Sequence, residues 1–147
     1  MSLFDRVSGY QSRVQNALSP AEAFTAIALI AVASDGNPSQ KQARDICEIL
    51  SHLKLFSSYS EDDIISMLEI LSGIIRHEGV NNLFNAAKDS LSEDFKESAF
   101  AVATDLVLAD GIFVEEKDFL RELYQALRIR GDNGEKIIEV MLIKNRG

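Results

Sequence analysis

Three features of the 147-residue sequence predict an all-α, single-domain helical bundle. Apolar residues recur at spacings of three and four with no alternating stretch, proline occurs only at Pro20 and Pro38, and glycines fall mostly between the periodic segments. Half of such a chain would be too short to bury its own core, so residues 1–147 read as one domain. With 46% apolar and 26% charged residues the composition is that of a globular protein, which excludes disorder. The longest apolar run, Ala26 to Ala33, is eight residues, against about 20 for a membrane span. The start, Met1 to Arg6, lacks a basic segment followed by an apolar one, so a cytoplasmic protein is expected. A single cysteine, Cys47, excludes an internal disulfide and a cysteine-built zinc site.

About eight helices follow in order. The first is expected over Leu3 to Leu18, with Leu3, Phe4, Val7, Tyr10, Val14 and Leu18 on one stripe. Ser19-Pro20-Ala21-Glu22 then opens a second: Ser caps, Pro suits the first helical position, and Glu returns a bond to the cap. That helix runs through Phe24 to Ala33 and is apolar on nearly every side, which assigns it to the centre of a bundle. Asp35-Gly36-Asn37-Pro38 stops it. Ser39 to Gln42 is another capping box, opening a helix with an inner face of Ala43, Ile46, Cys47, Leu50 and Leu53. Ser60 caps the next, to about residue 78, with Ile64, Ile65, Leu68, Leu71 and Ile75 inward. Helices over about 80–90, 92–109 and 114–128 follow, and the last, about 133–144, comes after a Gly131-Asp132-Asn133-Gly134 turn. Its segment Ile137 to Ile143 holds more apolar residues than one stripe requires; it completes the core or serves as a partner surface, and core is the expected use.

The sequence also repeats. A shift of 75 places Glu22 on Glu97, Ala26 on Ala101, Ile27 on Val102, Val32 on Val107, Asp35 on Asp110 and Gly36 on Gly111. Beyond the corner the shift becomes 74, placing Ile46 on Leu120, Glu48 on Glu122 and Leu53 on Leu127. Repeat one covers about 20–54 and repeat two about 95–128, each a central helix, an Asp-Gly corner and an amphipathic helix. Packing the two hairpins about a pseudo-two-fold would bury both apolar helices against each other.

Charge singles out the second repeat. Fifteen bases against 23 acids give a net −8, and residues 93–122 alone carry −6. Such a surface repels phosphate backbones, which disfavours nucleic acid and favours cations or basic partner surfaces. Asp110, Glu115 and Glu116 lie within seven residues, and Asp105 interrupts the apolar run just upstream. A carboxylate on a central helix requires a partner, either a cation or a basic side chain. Asp35 offers the same choice between a cation and a turn in which its carboxylate bonds the backbone two residues on. The candidate metal ligands are therefore Asp35, Asp105, Asp110, Glu115 and Glu116. Oxygen ligands alone select a hard ion such as calcium, magnesium or manganese, although the spacing is not that of a helix–loop–helix calcium site. Catalysis has little support: His52 and His77 read as surface or capping residues, Cys47 as a buried thiol, and no phosphate loop or nucleophile motif occurs.

The segments Val32-Ala33-Ser34-Asp35-Gly36 and Val107-Leu108-Ala109-Asp110-Gly111, with Glu115-Glu116 behind the second, resemble the TerB tellurite-resistance family. The resemblance implies a non-enzymatic, all-helical cytoplasmic domain for tellurite resistance and stress response, with an acidic face that binds divalent metal. It further implies protein partners in a membrane-associated assembly and is compatible with a homo-oligomer. On this chain the family's acidic positions are Asp35, Asp110 and Glu116, with Asp105 and Glu115 beside them, while Gln42 replaces the expected first-repeat Glu. Tellurite itself is an oxyanion, which a −6 segment repels unless a metal intervenes. The competing reading is a metal-free interaction module whose acidic face docks a basic partner.

Overall fold

The most apolar stretch of the chain becomes its most enclosed helix. The computed structural model describes residues 18–109 and 114–146, apart from the side chains of Val114 and Glu115. Among these residues lie seven α-helices: α1 (Pro20–Val32), α2 (Gln40–Ser51), α3 (Glu61–Glu78), α4 (Val80–Ser90), α5 (Glu93–Ala109), α6 (Val114–Ala126) and α7 (Gly131–Lys144). A 3-10 turn, Lys54–Phe56, links α2 to α3. The helix expected over Leu3 to Leu18 falls outside the described residues except at Leu18 itself. No described helix is long and apolar enough to cross a membrane.

α1 is the axis of the bundle. From Ala21 to Ile30 only Glu22 is not buried, and the helix touches α2, α3, α4 and α5. Its most extensive contact is with α5, the other apolar helix. Both carry fully buried alanines (Ala23, Ala26 and Ala28 on α1; Ala99 and Ala103 on α5), which let neighbouring backbones approach closely. Larger side chains such as Ile27, Leu29 and Phe100 are also fully enclosed, each contributing about 1.5–3 kcal/mol relative to exposure. Thr25, the one polar residue inside this stretch of α1, donates its hydroxyl to the Ala21 carbonyl at 2.8 Å, so its burial leaves no open hydrogen bond. Phe56, held by the 3-10 turn, meets Phe24 edge-on at 5.9 Å between ring centres and closes one end of this core.

Helix starts obey the local signals. Ser19, Ser39 and Ser60 each accept a bond from the residue three positions on, whose side chain returns one to the cap backbone. Two details differ from the sequence expectation. The Gly131–Gly134 stretch is the first turn of α7 rather than a loop before it. The reversal is made earlier, by Arg128 at φ 61°, with Ile129 N–H bonding the Tyr124 carbonyl and Arg128 N–H that of Gln125. This is a helix-ending pattern usually built on glycine, and it leaves only Ile129 and Arg130 before α7 begins. Ile65, expected inward, is instead 38% exposed, because Ile64, Leu68, Leu71 and Ile75 already fill the buried stripe of α3.

α7 is only partly core. Ile138 is buried and Ile137, Met141 and Leu142 are half-buried, while Val140 and Ile143 are each 54% exposed. Polar contacts fasten the helix as well. Asn133 donates to Glu97 on α5 at 2.7 Å. Glu135 Oε2 accepts from the Tyr124 hydroxyl at 2.7 Å and from Arg121 Nε at 3.1 Å, both on α6. The tyrosine bond first, and then the guanidinium, hold the Glu135 carboxyl below its ordinary range, and the same bond pushes the Tyr124 phenol up.

Two glycines separate close packing from helix propensity. A Cβ at Gly134 would lie 2.5 Å from Cγ of the buried Tyr124 ring, whereas one at Gly73, inside α3, would meet only Arg76 Nη2 at 4.0 Å. Gly73→Ala is expected to stabilise by roughly 0.5–1 kcal/mol. Gly134→Ala should lose about 1–3 kcal/mol to overpacking, more than the same propensity gain returns. Thermal unfolding of the two variants checks this, and equal shifts of one sign would contradict the packing described. For Glu135, a depressed folded value means its contribution is complete above the unfolded carboxyl range and disappears as pH falls through the folded value. The stability gap between wild type and Glu135→Gln should therefore narrow on acidification through that window, as denaturant melts at stepped pH would record.

Candidate functional site

The first Asp-Gly corner satisfies itself. α1 ends at Val32, so Asp35 lies in the loop three residues beyond and not in the last helical turn. Its Oδ1 accepts from Asn37 N–H at 2.9 Å, the local turn in which Asp bonds the backbone two residues on. Gly36 takes φ 81°, and a Cβ there would meet the Ser72 carbonyl oxygen at 2.9 Å, so both conformation and space demand glycine. Arg76 of α3 then donates to the Gly36 carbonyl at 2.6 Å and anchors the corner to the bundle.

Gln42 joins the two helices of this hairpin. Its Oε1 accepts from Ser39 N–H at 2.9 Å, and its Nε2 donates to the Val32 carbonyl, one of the unpaired carbonyls at the end of α1, at 3.0 Å. Only an amide does both. Placing glutamine where the resemblance leads one to expect glutamate thus has a structural cause: a carboxylate has no hydrogen to give Val32.

Glu116 is the residue in register with Gln42 under the 74-residue shift, and both line one hollow of about 320 Å³. Its other walls are Ile30, Ala31, Val32, Ser34, Val107 and Phe119, so the lining is mainly apolar. The Glu116 Oε2 atom is shut off from solvent and has no hydrogen-bond partner among the described residues. A buried carboxylate oxygen in that condition is costly unless a positive or hydrogen-donating group meets it. The bonds Gln42 makes go instead to Ser39 N–H and to the Val32 carbonyl.

Asp105 is placed elsewhere. It borders a separate groove of about 550 Å³ between α2, α5 and the end of α7. There it accepts from Lys144 Nζ at 3.2 Å and Asn145 Nδ2 at 2.8 Å. Of the two accounts open from the sequence, the basic side chain is the partner that Asp105 has. The contact ties the C-terminal end of α7 to the core helix α5. Asp110 and the Glu115 side chain lie outside the described residues. Among the described residues no three His, Cys, Asp or Glu side chains gather as a metal cage. Of the five candidates, then, only Glu116 is described with an unmet oxygen, and its neighbours are Ser34 and Gln42 rather than Asp35 or Asp105.

The histidines and the cysteine are placed away from the hollow. His52 ends α2 with Nδ1 2.8 Å from the Glu48 carbonyl, His77 is exposed, and Cys47 is buried, its thiol pushed up by burial and then by Glu61 and Asp62. Phe119, Val107 and Ser34 were not legible as site residues, since nothing in their spacing sets them apart from core and loop.

Gln42→Glu should keep the bond from Ser39 N–H but set an oxygen against the Val32 carbonyl, at a cost of roughly 1–3 kcal/mol. Chemical denaturation measures this, and an unchanged midpoint would show that the amide bridge contributes nothing.

No family model, no curated protein and no solved structure matches this chain. What the hollow does must therefore be reasoned from its own side chains.

Proposed function

We propose that this chain is a TerB-like, non-enzymatic domain of the tellurite-resistance and stress-response type that binds a divalent cation at its second corner. The carrying observation is the Glu116 Oε2 atom, buried without a partner at the first turn of α6. A cation supplies what that oxygen lacks. Asp110 and Glu115 are the co-ligands this reading assigns, with calcium, magnesium or manganese as the ion because every donor is an oxygen. Asp35 and Asp105 drop to supporting roles, since their oxygens already hold the first corner and α7. The extensive contact of α1 with α5 supports a pseudo-symmetric pairing of the two hairpins, and the common hollow of Gln42 and Glu116 supports the same register.

A second reading is favoured by a different observation. The hollow beside Glu116 has mostly apolar walls, which suit an organic cation better than a bare ion. In that case the acidic face docks a basic protein partner without metal.

Thermal unfolding after chelator treatment separates the two. Calcium, magnesium or manganese at 100 times its dissociation constant should stabilise the wild type by about 2.7 kcal/mol. The Asp110→Asn, Glu116→Gln double variant should lose this shift, while Glu116→Gln alone should match or exceed the metal-free stability of the wild type, because the buried charge is gone. A wild-type midpoint indifferent to every ion would end the metal reading and leave the docking one.

A further inference from the structure

We infer that the open face shared by α5 and α7 is a docking surface for the chain's own N-terminal segment, residues 3–17, bound as a helix. The two halves of the bundle pack alike except at this face. α2 and α3 lie against α1 as α6 and α7 lie against α5, and α2 meets α3 as α6 meets α7. The first half has one neighbour more: α4, the helix just before α5, packs on both α1 and α3. Among the described residues only α6 packs on both α5 and α7, so the place matching α4 is unfilled.

Burial differs between the halves in the same way. Under the 75-residue shift the buried Ala23, Ala26 and Ile30 of α1 correspond to Ser98, exposed, and Ala101 and Asp105, half-buried, on α5. A shift of 70 sets the buried stripe of α3 on that of α7. Met67 and Leu71, both buried, then correspond to the half-buried Ile137 and Met141, and the half-buried Ile70 to Val140, which is 54% exposed. An apolar strip left open beside a core is a surface that another element can cover.

The segment before α1 matches the helix before α5. Val7, Tyr10, Val14 and Leu18 fall on Val80, Leu83, Ala87 and Leu91 at a shift of 73, and a capping serine, Ser19 or Ser92, follows each stripe. On α4 that stripe supplies the buried Leu83 and Ala87. Leu18 itself is buried, and its N–H donates to Ser90 Oγ at 3.1 Å, which fixes the end of the segment beside the start of α5. Fifteen helical residues beyond it reach about 22 Å, the length of α7. Charge agrees: Arg6 and Arg13 against Asp5 make residues 3–17 net +1, opposite a stretch, 93–122, of net −6.

The test uses the full chain, isotope-labelled for NMR. Nuclear Overhauser contacts are expected from the Tyr10 ring to the Val140 and Ala101 methyls, within one molecule and not between labelled and unlabelled copies in a mixed sample. Stability gives a second readout. Serine matches valine and tyrosine in helix propensity, so Val140→Ser and Tyr10→Ser report burial alone. Each should raise the unfolded-to-folded ratio roughly tenfold, and the double variant should fall short of their product. On a free surface each change stays within about twofold. Changes that small, with no contact from Tyr10, overturn the inference. Contacts seen only between copies overturn it as well, because the face is then filled by the segment of a second chain.

Discussion

An α-helix with no polar side has to be enclosed on all sides, and α1 imposes that requirement on the rest of the chain. From Ala21 to Ile30 it leaves only Glu22 outside the core, so neighbours must approach from several directions. α2, α3, α4 and α5 do so, and the deepest contact is with α5, whose Ala99, Phe100 and Ala103 are equally enclosed. Two apolar helices that meet in this way leave the amphipathic ones to form the outer layer. The corners that connect central to outer helices are thereby forced to the ends of the bundle, where helix termini expose unpaired backbone groups.

How those termini are satisfied distinguishes the two halves. In the first, the capping serine, the Asp35 turn, the Gln42 bridge and the Arg76 anchor account for the polar groups around the corner. In the second, the residue aligned with Gln42 is a glutamate, which cannot donate to a carbonyl and which keeps one oxygen buried and unpaired. With O in place of NH₂ at one atom, the side chain that bridges the first hairpin is exchanged for one that cannot donate to a carbonyl. Both readings proposed for this protein start from that asymmetry.

α7 shows a different way to attach a helix. Its apolar residues are spread too widely for all of them to face inward, and Val140 and Ile143 remain exposed. Besides Ile138 and the half-buried Ile137, Met141 and Leu142, what holds it is a set of polar ties to α5 and α6 through Glu97, Asp105, Tyr124 and Arg121, together with the close seating of Gly134 on the Tyr124 ring. The acidic residues of the second half therefore divide by task. Glu97, Asp105 and Glu135 fasten α7, whereas Glu116 stands apart from them.

Local chemistry settled much of this in advance. Capping boxes at Ser19 and Ser39 act within four residues, and helical periodicity needs only one turn, so helix starts, the α1 axis and the buried Cys47 were legible from the sequence. Asp105 was legible as a residue in need of a partner, but Lys144 lies 39 positions away, and only the packing of α7 on α5 brings them together. The same applies to Gly134, whose reason for lacking a side chain is a ring ten positions earlier on another helix. The repeat register put Gln42 and Glu116 in correspondence, yet it could not reveal that they share a hollow or that only one has its oxygens met. Sequence determines interactions whose partners are a turn apart; those across helices depend on distances that exist only once the bundle has closed.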